Sequence, residues 1–235
     1  MRNACLFILA VVLAVGPAFA QTQTQTVLFR TLCLQHQDDI RTVFVPSAKG
    51  GSSEVPLLTG GFSPVYRAAF KDGVAEFHVD DDDAPEGKRV VARGRLASSD
   101  RQLFLFLPDP QKRLPYRLHC LPDDLPAFPM GGLRFLNLTP YAARLELAGA
   151  KLPAVKSGAS QTYPKVTKVD EWNMYQARVE LQAPDGHWAT ISSPSWKSLE
   201  TKRDLALIMI DPTSRQPRIL NFKDLPPWLE PTPEE

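Results

Sequence analysis

Four consecutive carboxylates, Asp80 to Asp83, followed by Ala84-Pro85-Glu86-Gly87, form the sharpest local concentration of reactive groups in the sequence. Hard oxygen ligands on one loop suit Ca²⁺, which takes roughly six to eight of them. The spacing argues the other way. Alternate acidic positions with a closing glutamate are missing, and neighbouring side chains of an extended chain point apart. A solvated acidic turn is expected, with Asp80, Asp81, Asp82 and Asp83 kept as a weak calcium candidate. A second concentration is aromatic: Trp172, Trp188 and Trp196 fall within 25 residues, with Tyr163 and Tyr175 close by. Exposed rings of this kind stack on sugars or anchor protein partners; otherwise they fill a core. Glycosidase chemistry needs two carboxylates flanking the scissile bond. Glu171, Glu180 and Asp185 lie near the rings, but nothing in their spacing orients a pair.

No other catalytic constellation assembles. The chain has no G-x-S-x-G elbow, no S-x-x-K set and no cysteine with a placed histidine. His36, His78, His119 and His187 are scattered without metal-ligand spacing. No catalytic residue and no cofactor are therefore expected.

The N-terminus reads as a cleavable leader over residues 1–20. Arg2 gives a basic start, Cys5 to Val15 an apolar core, and Ala18-Phe19-Ala20 the small-x-small pattern before a cut. An apolar run of about a dozen residues is shorter than the roughly 20 that span a bilayer. Gln21, not Cys, follows the cut, so no lipid anchor is expected, and no later stretch is apolar enough to be one. The mature chain should act in the periplasm or outside the cell. Arg2 is the leader's only charged side chain, so 27 basic and 26 acidic residues become 26 of each. A neutral chain without a basic stripe has no long-range field for polyanions, which argues against nucleic acid. Cys33 and Cys120 remain after cleavage. In an oxidising compartment one Cys33–Cys120 bridge is the simplest state, and two buried thiols are the alternative.

The elements that would position these residues are strands throughout. Runs such as TVLFRTLCL, GVAEFHV, QLFLFL, YQARVEL and DLALIMI are short, rich in β-branched and aromatic residues, and bounded by Pro, Gly, Asp and Ser. The 22 prolines work against long helices. All-β is the predicted class. An internal repeat refines it: RQLFLFLPDPQKRLPYRLHCLPDDLP from Arg101 matches RDLALIMIDPTSRQPRILNFKDLP from Arg203, an offset of 102 residues. Asp109-Pro110 aligns with Asp211-Pro212. Asp124-Leu125-Pro126 aligns with Asp224-Leu225-Pro226 after a gap. Around Cys33 and Asn137, FRTLCL aligns with RFLNL. The repeat predicts two tandem immunoglobulin-like β-sandwiches: a disordered polar start at 21–26, domain one at 27–126, a linker at 127–132, domain two at 133–226, and a Pro-rich tail at 227–235. Both cysteines are missing from the second copy, which favours a bonded pair.

From Gly132 the sequence resembles a family of uncharacterised exported bacterial proteins with immunoglobulin-like β-sandwich modules, mainly over residues 132–235. The matching positions are Arg134, Phe135, Asn137, Thr139, Pro140, Gly149, Gly158, Ser160 and Tyr163. Tyr141-Ala142-Ala143 stands where the family has an acidic-Ala-Pro turn. The resemblance implies fold and compartment and carries over no catalytic residue. An exported, non-enzymatic binding or scaffolding protein with a protein or cell-envelope partner is the expectation. The alternative is a carbohydrate-binding accessory module or weak hydrolase that uses Trp172, Trp188 and Trp196.

Overall fold

The computed structural model describes residues 23–48 and 50–226. The leader at 1–20 and the tail at 227–235 lie outside the described residues. The described chain is all-β, its only helical piece being a 3-10 turn at Pro85–Gly87. The first eight strands are β1 (Thr24–Cys33), β2 (Thr42–Pro46), β3 (Ser52–Pro56), β4 (Tyr66–Lys71), β5 (Val74–Asp80), β6 (Lys88–Arg95), β7 (Arg101–Pro108) and β8 (Tyr116–Pro122). They form one sheet in the order β3-β2-β5-β4-β1-β7-β8-β6, and β5 pairs back onto β6. That return pairing closes six strands into a barrel and leaves the β2–β3 hairpin attached at Phe44↔His78.

Period-2 alternation decides what fills the barrel. Along β1, Val27, Phe29 and Cys33 join the enclosed core, while Arg30 and Leu32 face out of it. Phe29 stacks on Phe104 at 4.9 Å, and Phe77 meets Phe106 edge-on at 5.0 Å. Each fully buried phenylalanine contributes about 1.5–3 kcal/mol by leaving water. Closure needs a glycine: a Cβ at Gly94 would stand 2.8 Å from the Leu118 carbonyl oxygen. A side chain there would hold β6 away from β8.

The remaining strands are β9 (Leu133–Asn137), β10 (Ala143–Leu147), β11 (Ala150–Lys151), β12 (Ser160–Tyr163), β13 (Met174–Gln182), β14 (Trp188–Ser192), β15 (Ser195–Lys197), β16 (Arg203–Ile210) and β17 (Pro217–Asp224). One sheet runs β12-β9-β16-β17. The other runs β11-β10-β13-β14, with β15 also on β13. Phe135, Leu145, Val179, Trp196 and Ile208 belong to one core.

Both strand sets repeat one wiring plan. β1 lies antiparallel to β4 and parallel to β7, which turns back into β8; β9 does the same with β12, β16 and β17. The register agrees residue for residue. Cys33 faces Phe106 and Asn137 faces Ile208; Cys120 faces Phe104 and Asn221 faces Ala206. The copies differ in closure. In the first, β5 follows β4 through the two-residue turn Asp72-Gly73, and β6 runs parallel to β8. Among the described residues, neither β12 with β13 nor β14 with β17 shows the equivalent pairing.

Three expectations are corrected. The first strand set is a closed barrel rather than an open immunoglobulin-like sandwich, because β5–β6 and β6–β8 complete the ladder. Residues 24–26, expected within a disordered polar start, are rungs of β1 paired with residues 69–71 of β4. Cys33 and Cys120 are free thiols. β7 lies between their strands, which sets them about 9 Å apart before a two-residue offset in register. A disulfide requires Cα atoms within roughly 7 Å.

Candidate functional site

The outward faces of β1, β7 and β8 lie against those of β9, β16 and β17. Leu32, Leu103, Leu105, Leu107 and Leu121 pack with Leu136, Leu205 and Leu207 in one buried cluster. Leu32 and Leu136, Leu103 and Leu205, and Leu105 and Leu207 occupy matching positions of the two copies. Each copy thus presents the same face, as the subunits of a two-fold dimer do.

At one end of this leucine layer sits a buried ionic knot. Arg30 Nε donates to Asp123 at 2.9 Å, and its two terminal nitrogens donate to Asp224 at 2.7 and 3.0 Å. Arg203 Nε donates to Asp224 at 2.7 Å, and Arg203 also pairs with Asp123. Arg203 Nη1 donates further to the carbonyls of Asp123 and Phe128, at 3.1 and 2.7 Å. All four side chains are at most 2% exposed. Two cations and two anions cancel, and the aspartates share donors from both arginines, so the burial is compensated. Arg134, which aligns with Arg30, donates instead to the Pro122 and Ala127 carbonyls and to Thr162 Oγ1. The Phe128 ring lies 4.4 Å from the Arg134 guanidinium and 4.3 Å from that of Arg203. The residues between the two copies therefore form part of the joint.

Electrostatics at the knot are reciprocal. Burial opposes ionisation of Asp224, but its bonds and proximity to Arg30 and Arg203 hold its carboxyl below the ordinary value. Burial likewise opposes the charge of Arg30, and Asp224 with Asp123 overcomes it, so the guanidinium is held above its usual value. Beside the knot a cavity of about 420 Å³ opens between Phe62, Pro64, Val65 and Leu225.

The residues singled out by sequence do not converge. Trp196 is buried in the second core, edge-on to Tyr175 at 6.3 Å. Trp188 carries the Arg144 guanidinium 4.1 Å from its ring centroid. Trp172 is 70% exposed in the turn before β13. A platform of three rings is not formed. Glu180 is held below its usual value by the Arg144 hydrogen bond, and Asp185 by bonds from His187. In the acidic turn, Asp81 Oδ2 accepts from Arg89 Nε at 2.8 Å, and its Oδ1 accepts from the Asp83 amide at 3.2 Å. Among the described residues no three His, Cys, Asp or Glu side chains are placed to hold a metal ion.

The histidines lie apart as well. His36 Nε2 is 2.8 Å from the Leu57 carbonyl, His119 is on β8, and His187 sits in the turn before β14. His78, stacked on Phe44 at 5.9 Å, is buried with Nε2 unpartnered among the described residues. Burial, with Lys88 nearby, lowers its pKa and keeps the imidazole neutral. Burial pushes the Cys33 thiol up to about 11 and the Cys120 thiol to about 12. Thiols so raised supply little thiolate at neutral pH.

The chain matches no protein-family model and no curated protein.

Sequence reasoning missed the knot. Its traces were Arg30 inside an apolar strand, Arg203 at the start of another, and the aspartates that end β8 and β17. Asp224 belongs to the aligned Asp-Leu-Pro exit. Its partner in the first copy is Asp123, one residue before the aligned Asp124, because Arg203 faces Asp224 while the Asp123 amide donates to the Arg101 carbonyl. Asp124 instead caps the following turn, accepting from the Ala127 amide at 2.8 Å.

Proposed function

We propose that this is an exported, non-enzymatic binding or scaffolding protein built from two tandem copies of one β-strand wiring plan, the first of them closed into a barrel. The observation that carries this reading is the joint. A leucine layer and a compensated ionic knot make one stiff body of the two copies, and their end loops and sheet edges are left for a partner. Binding residues on loops held by a rigid scaffold are the usual arrangement in such proteins. The leader pattern and the resemblance of residues 132–235 to exported bacterial modules support the compartment. The sugar-binding or hydrolytic alternative is the weaker one, since Trp196 belongs to the core and Trp172 is the one freely exposed indole of the three.

Two measurements test the proposal together. Mass spectrometry of the envelope fraction should find a chain beginning at Gln21; a chain that keeps Met1 in the cytosol overturns export. Photocrosslinking in cells from Tyr141 and Trp172, the exposed aromatics of the second copy, should give a discrete adduct with an envelope component. Turnover of a glycoside or ester substrate that tracks Glu180 or Asp185 substitutions would overturn the non-enzymatic reading.

A further inference from the structure

We draw no further inference here: the strongest candidate, the cavity beside the ionic knot between Phe62, Pro64, Val65 and Leu225, is an open apolar groove, and nothing in the structure shows what covers it.

Discussion

Asp224 receives donors from two arginines while 1% exposed, so removing its charge leaves both partly uncompensated inside the protein. Breaking a buried pair from one side is destabilising by about 3–5 kcal/mol, and Asp224→Asn is expected to lower the urea midpoint accordingly. The same residue sets the acid limit. Its folded pKa is depressed, so its contribution is complete above the unfolded aspartate value of about 3.9 and is lost as pH falls through the folded value. Unfolding titrations between pH 5 and pH 2 should show stability declining below about pH 4, with a shallower decline in Asp224→Asn. At the cysteines, thiol reagents should label neither Cys33 nor Cys120 quickly until the protein unfolds, and dithiothreitol should leave the melting temperature unchanged. A drop on reduction would show a bridge and contradict the strand order.

At the scale of elements, most of the strands were legible because their apolar residues alternate and their ends carry Pro, Gly or Asp. The partnerships were not. QTQT at the start looks too polar and repetitive for a strand, yet Thr24 to Thr26 form rungs against β4 because their backbone completes an edge. Sequence pattern gives side-chain faces and is silent about which backbone a strand will meet. Barrel closure was hidden for the same reason: it depends on Gly94, whose missing side chain lets β6 approach Leu118. Gly94→Val should hold that seam apart, at a cost of about 1–3 kcal/mol for overpacking. Hydrogen exchange should then quicken at residues 92–93 and 116–118, while protection in β9 to β17 stays unchanged.

For the whole molecule, the repeat was the most informative feature of the sequence, and it anticipated which positions would correspond. Cys33 with Asn137 and Cys120 with Asn221 are equivalent in the ladders. The joint between the copies could not be read the same way. Leucines suit an inner core as well as an outer face, and only the strand order shows that Leu105 and Leu207 point out of their own copies and into one shared layer. This layer predicts a single cooperative transition. Every described tryptophan belongs to the second copy, so in a Trp228→Phe background indole fluorescence follows that copy alone and far-ultraviolet circular dichroism follows both. The two signals should coincide in the wild type. They should separate in Leu207→Ala combined with Arg203→Gln, and coincidence in that variant would mean the layer is not what couples the copies.

Arg30 leaves the ribosome 194 residues before its second acid, Asp224. Until that late carboxylate arrives, the N-terminal copy holds an incompletely neutralised guanidinium beside a bare leucine face, which disfavours early locking. A nascent chain of this design is expected to lock its two copies together only when its closing hairpin arrives. On the proposed export route, that delay would leave the two copies unlocked from each other while the chain is threaded through a translocation channel.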